Sequence, residues 1–193
     1  MSGLQILNTG LAFTPERILK KYKPLRKVRT PLAFSLLYYP YFLASVTGAL
    51  QGRFDKRRMV QAQMVVNGLS GSVYRLANQP DIQAETVSET EYSFLIQPPE
   101  ITASCAGAYA QEAAFQGWKR KYQTLFSPTL CWSLESHEEQ CVYKPYWVVS
   151  NGESVTDEML MIVDGTTGLC GVPESMDIKK AWRNLLDQKD GVG

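Results

Sequence analysis

Tyr143-Lys144-Pro145-Tyr146-Trp147-Val148-Val149, followed after a polar interval by Met161-Ile162-Val163-Asp164-Gly165-Thr166-Thr167-Gly168, decides the fold. The aromatic and β-branched runs favour a pleated, half-buried backbone, and Asp-Gly with a closing Gly supplies turn chemistry. Nearly the same phrase occurs earlier, as Tyr39-Pro40-Tyr41 and then Val66-Asn67-Gly68-Leu69-Ser70-Gly71. A recurring hairpin predicts a pseudo-symmetric protein, because one hairpin with one helix buries too little apolar surface to stand alone.

The offset between the two copies varies along the chain. Val66-Asn67-Gly68 falls on Val163-Asp164-Gly165 at a shift of 97, the Pro-Tyr strands need 105, and Lys20-Lys21-Tyr22 falls on Arg120-Lys121-Tyr122 at 100. The expected architecture is α+β: antiparallel sheets with packed helices, in two pseudo-repeated helix-plus-hairpin halves, residues 1–85 and 86–193.

Outward from the first hairpin, Thr14-Pro15-Glu16 predicts a helix start, with an N-cap hydroxyl, a proline at the first position and an acid near the positive helix end. The helix falters at Pro24. Leu32 to Leu50 reads as a long strand, Gln51 to Arg58 as a polar loop and Met59 to Val66 as the return. Asn67-Gly68 is expected to supply positive φ in a tight turn before a short strand, Ser72 to Leu76.

In the second half, Ile101 to Phe126 is the clearest helix. Ala103, Gly107, Ala110, Ala114 and Gly117 recur at steps of three or four and permit close approach to a sheet. Thr129 to Leu134 and Cys141 to Ser150 read as strands around a polar turn, Glu135 to Gln140. Asn151-Gly152 opens the next turn, Met159 to Val163 is the return, and Leu169 to Val172 follows Asp164-Gly165. A last helix from about Ser175 places Ile178, Trp182, Leu185 and Leu186 on one face.

The stretch from Tyr143 to Gly168 resembles the hairpin of PepSY-like domains, in which an aromatic strand, a turn and a strand ending in Val-Asp-x-x-Thr-Gly follow one another. The first hairpin resembles it more weakly, since Asn67 and Ser70 stand where Asp and Thr are expected. The resemblance covers about thirty residues of the second half. It implies a protein-binding or inhibitory role, in a family whose members often act outside the cytoplasm.

With 193 residues, 45% hydrophobic and 20% charged, the chain can bury an ordinary core. The opening residues carry no basic n-region and no long apolar core, and Leu32 to Leu50 is broken by Ser35, Pro40, Ser45, Thr47 and Gly48. These features point to a cytoplasmic protein with no transmembrane segment, and hence to reduced thiols at Cys105, Cys131, Cys141 and Cys170.

Candidate chemistry is sparse. Cys131, His137 and Cys141, with Cys170 as a fourth ligand, offer tetrahedral zinc donors, but the spacing lacks a Cys-x2-Cys knuckle; packed thiols beside a turn histidine are the preferred reading. A Cys141 nucleophile would need an oriented base and an oxyanion site, and no flanking signature supplies either. The glycine turns lack the lysine of a phosphate loop. The expectation is a non-enzymatic protein with no cofactor, no catalytic residue and no metal.

The net charge of +1 conceals a division. Residues 1–58 hold eleven Lys and Arg against Glu16 and Asp55, +9, whereas residues 59–193 hold nine against seventeen acids, −8. The segment from Lys20 to Arg29 concentrates the positive charge. Folding can neutralise one half against the other, or leave a face for an anionic partner. The acidic remainder argues against a long polyanion such as nucleic acid; peripheral contact with an anionic membrane surface is a further use of the same charge. The leading expectation is an adaptor that binds a protein partner or itself through Lys20, Lys21, Tyr22, Arg26, Lys27, Tyr39, Tyr41, Tyr146 and Trp147. The alternative is a small-ligand-binding α+β domain with a pocket between sheet and helix.

Overall fold

A computed structural model describes residues 4–28, 31–51, 57–77, 80–87, 93–122, 134–151, 159–171 and 175–190. It shows an α+β protein. The elements in chain order are β1 (Leu4–Asn8), α1 (Pro15–Lys21), a 3-10 turn (Lys23–Lys27), β2 (Leu32–Gln51), β3 (Arg57–Asn67), β4 (Val73–Arg75), β5 (Gln83–Val87), β6 (Ser93–Ile96), α2 (Ala103–Tyr122), β7 (Leu134–Asn151), β8 (Met159–Asp164) and α3 (Ser175–Asp190). Among the described residues the strands hydrogen-bond in the order β4-β3-β2-β7-β1-β5, with β6 on β2 and β8 on β7. Most pairings are antiparallel, whereas β1 with β7 and β2 with β6 are parallel.

Two compact units are present. One comprises Met1–Pro40, Asp81–Pro98 and Val142–Gly193, the other Tyr41–Pro80 and Pro99–Cys141. The sequence halves 1–85 and 86–193 each supply elements to both units.

Each long strand changes neighbour at its proline. On β2, Ser35 to Tyr38 pair with β6 and Tyr41 to Gln51 with β3, so Pro40 lies between the two registers. On β7, Tyr143 pairs with Asn8 of β1 and Tyr146 begins the pairing with β8, so Pro145 lies at the same kind of junction. Proline has no amide hydrogen to give a ladder, and a switch point is where its absence costs least.

In the first unit Ile18 and Leu25 pack with Leu36, Tyr38, Trp147, Val149 and Val163. The Trp147 Nε1–H donates to the Phe13 carbonyl at 2.7 Å, and Phe34 meets the Trp147 ring edge-on at 6.3 Å. In the second unit the small face of α2, Ala106, Ala110 and Ala114, with Trp118 and Tyr122, covers Phe42, Ala44, Val46, Ala62, Met64 and Val66. The four-residue spacing puts these groups on one stripe, and alanines let the helix approach the strands closely.

Several sequence expectations are corrected. Glu135 to Gln140 is strand, not turn: β7 runs unbroken from Leu134 to Asn151. The segment holds no Gly, Pro, Asn or Asp, and Ser136, the weakest of the turn formers, is its only residue with turn chemistry. Cys131, expected on the strand before that turn, lies outside the described residues, as do Gly152 and Val172. Gly68, expected to be left-handed, is not; Gly71 (φ 70°) is, as is Gly168 (φ 65°) in the second turn. Thr14 makes no side-chain cap bond, whereas Thr102 does, its Oγ1 accepting from Cys105 N at 3.2 Å. Strands β1, β5 and β6 add to the elements expected from the sequence.

Candidate functional site

The two Gly-x-x-Gly turns share one bonding pattern. Asn67 Oδ1 accepts from the Leu69 and Ser70 amides, Gly71 N donates to Asn67 O, and Asn67 N donates to Ser72 O. Asp164 Oδ1 accepts from the Thr166 and Thr167 amides, Gly168 N donates to Asp164 O, and Asp164 N donates to Leu169 O. A short side-chain acceptor at the first position thus satisfies amides that the loop would otherwise strand, and the last glycine takes the left-handed conformation.

Each turn also receives a helix entry in the same way. Ala12 N and Phe13 N, just before α1, both donate to Gly165 O, at 3.0 and 2.9 Å. Glu100 N and Ile101 N, just before α2, both donate to Gly68 O, at 2.9 and 3.1 Å. The helix of the first sequence half is therefore seated on the hairpin of the second, and the reverse. This equivalence places Thr14 on Thr102, a different register from the Lys-Lys-Tyr alignment of the sequence.

The basic segment divides by role. Lys21 Nζ and the Tyr22 hydroxyl both donate to Gly168 O, at 2.6 and 2.7 Å, and the Lys21 ammonium lies 5.2 Å from the Phe13 ring centroid. Burial pushes the Tyr22 phenol above its ordinary pKa, and the Cys170 thiol adds to the effect. These two residues pin α1 to the turn. Lys20, Lys23 and Lys27 are exposed and point charge at solvent. The Arg26 side chain lies outside the described residues.

The aromatic residues expected to meet a partner are core. Tyr39 and Tyr146 are 0% exposed, Trp147 1% and Tyr41 7%. Tyr39 and Tyr146 pack edge-on at 6.2 Å. Tyr146 and Trp147 are neighbours on β7 and so point to opposite faces, yet both are buried, and the contact surface expected of the four is not formed by these side chains.

Lys144 and Asp164 form an ion pair at 2.8 Å. Burial opposes both charges, but the Tyr146 phenol and the Asp164 carboxylate together hold the Lys144 pKa above its ordinary value. Burial likewise works against the Asp164 carboxylate, and the Lys144 ammonium with the Thr167 amide outweighs it, lowering its pKa. The pair supports the turn from below.

Of the thiols, Cys105 and Cys170 are exposed, and Cys141 is half-buried beside the second unit's core; none of the three forms a disulfide. Cys141 belongs to the second unit and Cys170 to the first. His137 lies within β7, its side chain outside the described residues. Among the described residues no three His, Cys, Asp or Glu side chains are grouped to hold a metal ion. No described helix is long and apolar enough to cross a membrane.

A second cationic locus was not anticipated. Arg58, Met59, Val60 and Gln61 of β3, Arg75 of β4 and Trp118, Lys121 and Tyr122 of α2 line a cavity of about 220 Å³. The Arg58 guanidinium and the Lys121 ammonium each lie 5.4 Å from the Tyr122 ring centroid. The sequence signal was Lys119-Arg120-Lys121 in the expected helix together with Arg57-Arg58 at the end of the polar loop before the return strand, but nothing linear joins them. In comparison with known proteins, no family model, no curated protein and no solved structure matches this chain.

Proposed function

We propose that the chain is a non-enzymatic interaction protein that holds an acidic protein partner through Lys20, Lys23 and Lys27. The observation that carries this reading is the division of labour within the basic segment. Ile18 and Leu25 are buried, and Lys21 and Tyr22 are bonded to Gly168 O, so the backbone between them is anchored while three lysines remain exposed. A partner then meets charges on an already ordered scaffold, which reduces the ordering cost of binding. The resemblance of the second hairpin to PepSY-like domains supports a binding role, and the shared turn bonding supports descent of the halves by internal duplication. Action in the cytoplasm belongs to the same proposal.

The test is titration of the full chain with poly-glutamate and, separately, with single-stranded DNA, at about 50 and 200 mM salt. Poly-glutamate is expected to bind, to weaken with salt, and to weaken at least about tenfold further when Lys20, Lys23 and Lys27 are all changed to Glu. Binding of DNA alone, or an unaffected triple variant, overturns the reading. A second reading, a small-ligand domain, is favoured by the cavity beneath the end of α2.

A further inference from the structure

We infer that the cavity between β3, β4 and the last turn of α2 binds a phosphate group carried by a small ligand. Three cations, Arg58, Arg75 and Lys121, line it, and among the described residues no acidic side chain does. All three are exposed, so their charges face the opening, whereas Trp118 and Tyr122 are 3% and 8% exposed and form the floor. The ligand therefore meets guanidinium and ammonium groups first.

The charges are held together against their own repulsion. Arg58 and Lys121 share the Tyr122 ring, each 5.4 Å from its centroid, and a ring face attracts a cation through its quadrupole. Lys119 and Arg120, also exposed, raise the local potential further. Cations in the last turn of a helix complement its dipole, which accounts for Lys119 to Lys121 but not for two arginines arriving from neighbouring strands. Convergence of positive groups from three elements on one concavity is what an anion site needs.

Size and charge select the anion. Pockets for drug-sized molecules run from about 300 to 1,000 Å³, so a cavity of about 220 Å³ holds one compact group and not a whole nucleotide. Three positive charges are better matched by a tetrahedral dianion than by a carboxylate, and arginine forks bond phosphate oxygens in pairs. The cavity belongs to the second unit and uses none of Lys20, Lys23 and Lys27, so either proposal can fail without the other.

The experiment is calorimetric titration of the full chain at low ionic strength with inorganic phosphate, phenyl phosphate and acetate, and with vesicles of phosphatidylcholine with or without phosphatidic acid. Phosphate is expected to saturate one site at least about tenfold more tightly than acetate. Arg58→Gln and Lys121→Gln each weaken it about five- to tenfold, and the Arg58→Gln/Arg75→Gln/Lys121→Gln triple abolishes it, while Lys121→Arg, which keeps the charge, retains it. Since the second ionisation of a phosphate ester falls near pH 6, the affinity for phenyl phosphate rises from about pH 5.5 to 7.5, whereas that for sulfate, titrated as a control, shows no such rise. Phenyl phosphate binding like phosphate identifies a soluble ester as the source. Binding through the same cations only to vesicles containing phosphatidic acid places the phosphate on a lipid headgroup. No preference for phosphate over acetate, or a folded triple variant that binds as the wild type does, overturns the inference.

Discussion

The Lys144 ammonium donates to Asp164 Oδ2 at 2.8 Å, while the other oxygen of the same carboxylate caps the Thr166 and Thr167 amides. The first hairpin has Asn67 at the corresponding turn position and forms the same cap without a charge. Asp164→Asn is therefore expected to keep the turn and lose only the ion pair, costing about 1–2 kcal/mol, whereas Asp164→Ala loses cap and pair and costs about 3–4 kcal/mol. Urea midpoints of the two variants check the order; equal losses would mean that the cap contributes nothing.

The same pair sets a pH dependence. Asp164 titrates below its ordinary value of 3.8 in the folded chain, so its contribution is complete above that value and is lost as pH falls through the lowered native one. Lys144 titrates above its ordinary value of 10.5, so its contribution is complete below that value and is lost as pH rises through the raised one. The stability difference between wild type and Asp164→Asn should be flat at intermediate pH and shrink at both ends, read from denaturation curves across pH.

Gly168 and Gly71 both have left-handed backbones, but their surroundings differ. A Cβ on Gly168 would collide with the Phe13 ring, and Phe13 is fixed at both backbone groups: its amide bonds Gly165 O and its carbonyl accepts from Trp147. A Cβ on Gly71 would meet Tyr109 Cε2 at 2.8 Å, and Tyr109 is 47% exposed and free to swing outward. Gly168→Ala is expected to cost about 2–4 kcal/mol and Gly71→Ala about 1–2 kcal/mol, the latter being the backbone penalty alone. Thermal melts that reversed this order would show that Phe13 yields.

Trp147→Phe should cost about 3 kcal/mol, since it removes a buried hydrogen bond, leaves the Phe13 carbonyl without its indole donor and opens space in a core where Trp147 is 1% exposed. The loss should appear as a lowered denaturation midpoint with unchanged helix content by circular dichroism.

Within the basic segment, stability and binding should separate. Tyr22→Phe removes the hydroxyl bond to Gly168 O and should lower stability by about 1 kcal/mol. Lys20→Glu, Lys23→Glu and Lys27→Glu change exposed side chains and should each leave stability within about 0.5 kcal/mol while weakening partner association. His137→Ala should leave association unchanged; loss of function from that change alone would point to a metal or acid–base site instead.

Local chemistry was legible from the chain itself. The strand character of Leu32–Gln51, the α2 stripe of small residues and the α3 face bearing Ile178 and Trp182 follow from periodicity, which reports burial within one element. Glu135 to Gln140 misled because polarity suggested a loop, whereas turn-forming residues, not polarity, are what reverse a strand. The short strands β1, β5 and β6, of five, five and four residues, carry too few residues for a period to show.

By itself the sequence determined the helices, the longer strands in the main and the places of the two turns, because helix and strand periods and turn chemistry act over a few neighbouring residues. Tertiary structure alone decided that Phe13 meets a hairpin 134 residues away through Trp147, that Tyr39, Tyr41, Tyr146 and Trp147 are core, and that Arg58, Arg75 and Lys121 converge. Those outcomes depend on which apolar faces find one another when the chain closes its long loops. That choice is a property of the whole packed core and is written in no local pattern.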